Sequence, residues 1–297
     1  MKNNIWKKQL GIFLLVLPAI IYVLIFAYGP MYGIIMAFEN FRPKSGYLGS
    51  EWVGLKHFQR FISHPDFWKM IKNTLSVSLY SLATFPCAII LAFMINEVGN
   101  GKFKKTVQMV TYAPHFLSTV VVCSLVTMLT DREGFLGVLY GLITGKAENL
   151  LTIPGFFNDI YVWSGVWQNI GWGTIVYLAA LSGVSSELIE SAKIDGAGRL
   201  QIIRHVNLPC IMPTIVTLFI MNTGSILSVG FEKIFLLQND LNLETSRVIS
   251  TYVYEVGLQG GQFSYSTAIG LFNNLVNIVM IFTCNKISKK ISGIGIF

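Results

Sequence analysis

Six stretches of this chain contain no Asp, Glu, Lys or Arg: 9–38, 74–96, 106–130, 160–186, 206–231 and 256–285. Each reaches or exceeds the roughly 20 residues that an α-helix needs to cross a hydrocarbon layer. Spans of a β-barrel would be about half as long and would alternate apolar with polar positions, which these do not. The pattern predicts an all-α membrane protein with six transmembrane helices, over approximately 10–38, 74–96, 106–130, 160–183, 210–231 and 266–286. No clear repeat, low-complexity tract or flexible linker interrupts it, so residues 1–297 read as one transmembrane domain.

Between the spans the pattern is finer. Pro18 and Gly29-Pro30 punctuate the first run and predict a kink or an end there. Leu55, Phe58, Phe61 and Ile62 recur at helical spacing, predicting an amphipathic helix on the outer membrane surface. A second begins after Pro65. Segments 131–159 and 232–267 carry Gly and Asn and read as loops, with a short helix over 251–256. The 184–209 loop is long enough for two short helices. Ser185 or Ser186 can cap the first, with Glu187 and Glu190 complementing its positive end. Gly196 and Gly198 are expected to break it, Leu200, Ile203 and Val206 give the second piece an apolar stripe, and Pro209 suits the first turn of the next span.

Composition agrees with a membrane class: 53% of residues are hydrophobic and 12% charged, mean hydropathy is +0.58, and soluble domains carry about 25% charged residues. With six spans and both termini on one side, that side holds twelve basic and four acidic residues, and the other ten and eleven. Basic flanks mark the cytoplasm, which places both termini and the 184–209 loop inside. Arg42, Lys44, Lys56, Arg60, Lys69 and Lys72 in the first outer loop run against this, but long translocated loops follow the rule weakly. The net charge of +7 is therefore a topology signal and not evidence of nucleic-acid binding. The first run lacks a small-x-small cleavage site and is expected to be a retained span. Cys87, Cys123, Cys210 and Cys284 form no CxxC or His-spaced set, so they read as apolar packing residues.

The 184–209 loop contains ESAKIDGAGRLQIIRHVNLP, in which Glu190-Ser191-Ala192, Gly196 and Leu208-Pro209 fall at fixed offsets. This resembles the EAA-x3-G-x9-I-x-LP loop of the permease subunits of binding-protein-dependent type I ABC importers, with Ser191 in place of the middle Ala. The resemblance implies an ATPase-coupling joint formed by Glu190, Ser191, Ala192, Asp195, Gly196, Leu208 and Pro209. It also implies a second, homologous permease in a heterodimer, two ATPase subunits that hold ATP and Mg, and an extracellular binding protein. An ordinary amphipathic loop lying on the membrane is the bland alternative. The chain has no G-x-x-x-x-G-K-[ST] phosphate loop of its own, since Gly99-Asn100-Gly101-Lys102 lacks the spacing. No metal-ligand cluster or nucleophile turn is present, and His57, His64, His115 and His205 are scattered. The chain is not expected to be an enzyme or to bind a cofactor.

Polar residues inside spans are costly in lipid unless they face a cavity or another helix. Asn273 and Asn277 lie one turn apart on the sixth span, and Asn222 and Ser225 lie on the fifth. Amide and hydroxyl groups suit sugar hydroxyls, while helix–helix packing is the alternative use. Trp163, Trp167 and Trp172 on the fourth span read either as sugar-stacking platforms or, for the first two, as interfacial anchors.

Beyond the loop, LPAIIYVLIFAYGPMYGIIMAF, SGYLGSEWVGLKHFQRF, SVGFEKIFLL, STYVYEVGL and FSYSTAIGLFNNLVN resemble the polysaccharide and complex-oligosaccharide permeases of Gram-positive bacteria. That implies a multi-pass protein of a bacterial plasma membrane, an oligosaccharide cargo and a sugar-binding lipoprotein partner. The same machine carrying a peptide, amino acid or polyamine is the alternative. A secondary carrier is a third reading, opposed by spans without ionisable Asp, Glu, Lys or Arg.

Overall fold

The structure, a computed structural model, describes residues 2–224, 227, 229–293 and 295. Among these, the strands are a two-residue pair, β1 (Glu39–Asn40) and β2 (Glu51–Trp52), antiparallel with Glu39 opposite Trp52. The rest of the regular structure is helical. Four helical stretches are long and apolar enough to cross a membrane: Phe13–Phe38, Phe67–Asn96, Arg199–Thr223 and Phe263–Lys290. Two bent pairs, Gly101–Phe116 with Thr119–Thr144 and Pro154–Ser182 with Ser186–Ile194, bring the number to six if each is one span. The predicted all-α membrane class is thus the observed one.

In chain order the helices are α1 (Lys2–Val23), α2 (Lys56–Ile62), α3 (Phe67–Ala83), α4 (Phe85–Asn96), α5 (Gly101–Tyr112), α6 (Thr119–Thr130) and α7 (Phe135–Thr144). They continue as α8 (Phe157–Ser182), α9 (Ser186–Ile194), α10 (Arg199–Ile202), α11 (Leu208–Thr223), α12 (Phe231–Leu237), α13 (Leu243–Ser246), α14 (Ile249–Tyr254) and α15 (Phe263–Ser292).

Several boundaries differ from the sequence pattern, each for a local reason. The 106–130 run is not one straight helix. Pro114 falls in a 3-10 turn, Ser118 then caps α6 by accepting the Val121 N–H at 3.3 Å, and the two halves meet at 100°. The 206–231 run stops at Thr223 and becomes helical again at α12. The expected loop 131–159 contains α7, whose apolar residues keep helical spacing despite two glycines that read as turn signals. The expected loop 232–267 contains α13, and its expected short helix over 251–256 is α14, which starts two residues earlier and runs on into the π-helical turn Glu255–Gln259.

Pro30 of the first run and Pro209 of the fifth share a device. The π-helical turn Leu24–Tyr28 precedes Gly29-Pro30, and the π-helical turn Ile203–Asn207 precedes Leu208-Pro209. In each, the residue before proline donates its N–H five residues back, Gly29 to Leu24 and Leu208 to Ile203. The wider turn makes room for a ring that would otherwise meet the carbonyl four residues earlier. Pro209 thus lies in the first turn of α11, as expected, although no break in the helix precedes it. It sits inside a helical stretch that runs from Arg199 to Thr223.

The chain forms two compact units, residues 1–64 with 253–272, and residues 65–252 with 273–297. In the first, Phe38 stacks on Trp52 at 5.7 Å and His57 Nε2 lies 3.1 Å from the Glu39 carbonyl. Phe61 of α2 packs edge-on to Phe272, and Arg60 lies 4.1 Å above the Tyr265 ring. Helix α2 thus buries His57 and Phe61 against protein, while Leu55 and Ile62 stay exposed. Burial holds the His57 imidazole below its usual pKa.

In the second unit α8 is the central element. Val77, Val122, Cys123, Val126, Phe157, Ile234, Leu237 and Val248 form one buried cluster, and Ala92, Tyr177, Leu181 and Ile211 another. Lipid tails are as apolar as these side chains, so close packing and polar contacts, more than exclusion from water, must hold spans together. Gly171 lets α8 meet α5 at backbone distance: a methyl there would overlap the Thr111 carbonyl and lie 2.9 Å from Thr111 Cβ.

Candidate functional site: the 184–209 loop and an internal cavity

The 184–209 loop is built by caps. Ser185 accepts the Glu187 N–H at 3.2 Å and opens α9, whose first turn holds Glu187 and whose last turn holds Lys193, matching the helix dipole. At the far end the Gly196 N–H donates to Lys193 at 3.0 Å and the Ala197 N–H to Ala192 at 2.9 Å. This is a Schellman stop with Asp195 as the C-cap. It places Gly196 at φ +80°, the left-handed region that L side chains avoid. Gly198, expected to relax the backbone in the same way, has an ordinary φ of −73° and serves as the N-cap of α10.

The result is a short helix turned 75° from α8, with its stop and the start of α10 fixed by backbone bonds. Glu190, Ser191, Asp195 and Gly196 are exposed, Ala192 and Leu208 half-buried, and Pro209 exposed. Around the stop, Ile194 is 86% exposed, Leu200 77% and Leu188 51%. These three are large apolar side chains left bare on the same loop as the exposed Glu190. Ile194 escaped sequence reasoning because one apolar residue next to an aspartate makes no periodic signal.

The polar residues of the spans separate into two groups. Asn277 is buried and its Oδ1 accepts the Leu227 N–H at 3.0 Å, while Asn273 Nδ2 donates to the Leu227 carbonyl at 3.3 Å. Each asparagine thus uses one amide atom to fix the chain beyond the end of α11, as the packing use requires, while Asn273 Oδ1 has no hydrogen-bond partner. Replacing Asn277 with Leu would strip a buried N–H of its acceptor, at a cost of about 1–3 kcal/mol. We expect a lowered midpoint of thermal unfolding in detergent, and an unchanged midpoint would show that the bond contributes nothing. Trp163 donates Nε1–H to the Tyr80 hydroxyl at 2.9 Å, which in turn donates to Asp159 at 2.7 Å, tying α8 to α3. Trp167 is half-exposed and Ser225 lies outside the described residues.

Asn222 and Trp172 line a cavity of about 590 Å³ whose walls come from α3, α4, α8, α11 and α12. Trp172 is backed on one face by His115, stacked at 4.4 Å and 7°, and His115 Nδ1 lies 3.0 Å from Asn169 Oδ1. Gln168 and Asn169 add amides to the lining, and Lys233 adds an ammonium. An aromatic face, carboxamides and hydroxyls in a concave wall are the parts of a site for a polyhydroxylated ligand. Sequence reasoning reached Trp172 and Asn222. It missed Gln168, Asn169 and Lys233, the last because it lies beyond the charge-free run.

A protein-family model, the binding-protein-dependent transport system inner membrane component, matches residues 84–292. The chain is 44% identical over 292 residues to the polygalacturonan/rhamnogalacturonan transport system permease protein YteP of Bacillus subtilis strain 168, covering 98% of this chain and 91% of that one. It is 41% identical over 293 residues to protein LplB of the same organism, covering 98% and 92%. Its fold matches, with a TM-score of 0.88 and 41% identity over 97% of this chain and 98% of that one, a bacterial ABC transporter chain involved in the import of the acidic polysaccharide alginate. A bacterial alginate ABC transporter in complex with an alginate pentasaccharide-bound periplasmic protein matches equally, at 40% identity and 99% of each chain. With its multi-pass helices, its sharply stopped loop helix and these likenesses over nearly its full length, the chain belongs to the binding-protein-dependent transport system inner membrane components.

Proposed function

We propose that this chain is the permease half of an ATP-driven importer for an oligosaccharide or a polysaccharide fragment. The observation that carries the reading is the likeness, over 98% of the chain, to a permease named for polygalacturonan and rhamnogalacturonan transport. Both termini and the 184–209 loop face the cytoplasm, as the basic residues favour. A second, nonidentical permease completes the pathway. Two ATPase subunits hold ATP and Mg, and an extracellular sugar-binding lipoprotein delivers the cargo.

In this assembly α9 is the joint. Glu190 offers a charge to a basic residue of the ATPase groove, and Ser191 and Ala192 are small enough to let the helix enter it. Ile194, Leu200 and Leu188 supply apolar area that loses water on docking. The Schellman stop and the helical stretch from Arg199 to Thr223 pass the displacement into the span. The chain itself performs no covalent chemistry.

The test is reconstitution of the complex in vesicles with its binding protein. ATP hydrolysis and uptake should both rise when the binding protein is loaded with oligosaccharide. A rise with peptide or polyamine in place of any oligosaccharide would reject the cargo, and transport without ATP would reject the importer class.

A further inference from the structure

One basic side chain lines the cavity. Lys233, in the first turn of the short helix α12, is 9% exposed. Its Nζ donates to the Tyr161 carbonyl at 2.8 Å, lies 4.9 Å from the Tyr161 ring centroid, and reaches within 3.3 Å of where a Cβ on Gly165 would stand. A side chain at 165 would press on the ammonium and require it to shift by a few tenths of an ångström. An ammonium has three donors, and one is used. Among the described residues no carboxylate lies within ion-pair distance of it.

A buried ammonium without a counter-charge is costly, and proteins keep such groups where a ligand or substrate supplies the missing charge. On the cavity side stand Gln168, Asn169, Asn222 and the open face of Trp172. Behind α12, the fully buried Asn242 donates to the Leu151 and Leu237 carbonyls at 2.9 and 3.0 Å and accepts from Ser246 at 2.8 Å. The chain after α12 is therefore fixed, and Lys233 has little freedom to swing out to solvent.

We infer that Lys233 is a specificity-determining residue for anionic cargo, its ammonium pairing with a carboxylate of a uronate-bearing oligosaccharide while amides and the Trp172 face hold the rings. This rests on the oligosaccharide-importer reading and adds the charge of the cargo to it. Neutral sugars could fill the same cavity but would leave the ammonium unpaired, which is how a polar site discriminates most strongly. Burial lowers the Lys233 pKa from its ordinary 10.5 to about 8. The ammonium is therefore present below neutral pH and is lost as pH rises through about 8, whereas a uronate stays ionised throughout. The titratable groups around it are the Cys123 thiol on α6, the Tyr161 phenol on α8, and Glu232 on its own helix.

The complex in vesicles is assayed with an oligogalacturonide and with its carboxyl-reduced neutral counterpart of equal length. Delivery is normalised by measuring how much of each probe the binding protein holds. In K233Q the uronate-to-neutral uptake ratio should fall roughly tenfold or more, and K233R should retain most of it. Between pH 7 and 9 the wild-type ratio should decline, and the K233R ratio should not. If the binding protein refuses the reduced probe, or K233Q does not assemble, the wild-type and K233R pH profiles with the uronate decide alone. An unchanged ratio in K233Q, or superimposable pH profiles for wild type and K233R, overturns the inference. Failure of every oligosaccharide to be transported while ATP is hydrolysed overturns the importer reading itself, and the inference falls with it.

Discussion

Glu190→Lys and Gly196→Val should each bring uptake to background while membrane insertion stays normal. Glu190 is exposed and makes no ion pair within the described chain, so reversing its charge should change the permease's own stability by no more than about 0.5 kcal/mol. Against a basic residue in the ATPase groove, the reversal should cost several kcal/mol, on the order of 2–5. The ATPase should then fail to copurify. Gly196→Val acts differently. Nothing lies within 4 Å of its would-be Cβ, so no clash arises, and the whole cost is the φ of +80°. Holding a β-branched residue there costs on the order of 1–3 kcal/mol, enough to unwind the stop and tilt α9. The ATPase should still bind, but hydrolysis and transport should separate. Both are read by measuring ATP hydrolysis and uptake on the same vesicles. Wild-type values in both variants would make the loop an ordinary connector.

Gly171→Leu should prevent the second unit from packing. The site is fully enclosed by the Thr111 backbone of α5, which cannot turn aside as a side chain can. Overpacking of a flexible core costs about 1–3 kcal/mol, and a clash with backbone should lie at or above the top of that range. We expect little monodisperse protein after extraction and a thermal midpoint lowered by many degrees. Gly101→Ala is the control, because a Cβ there meets nothing within 4 Å. It should be neutral or slightly stabilising. Equal behaviour of the two variants would remove the close α5–α8 approach from the account of this fold.

The membrane class and the position of the 184–209 loop were legible in the sequence because both rest on one-dimensional signals. Apolar length decides what can cross a bilayer, and fixed offsets from Glu190 to Pro209 survive any packing arrangement. The cap at Ser185 and the stop at Gly196 were legible for the same reason: each is decided by bonds within a few residues. Where elements bend was not legible. The 100° break after Pro114 and the π-helical turn before Pro209 both follow from a proline, and only the tertiary setting decided that one breaks a helix and the other widens it. Asn273 and Asn277 show the limit most clearly. Two amides one turn apart can face a ligand or a backbone, and the sequence left both uses open. The structure adds what no local pattern shows, a bond from each to Leu227, 46 and 50 residues away. Lys233 is the converse case, a lysine that looks like a solvated loop residue until Tyr161 and Gly165 of α8 cover it. Periodicity and spacing report what a residue does within its own helix. What faces it across a cavity is set by the packing of distant segments, and only the tertiary structure holds that.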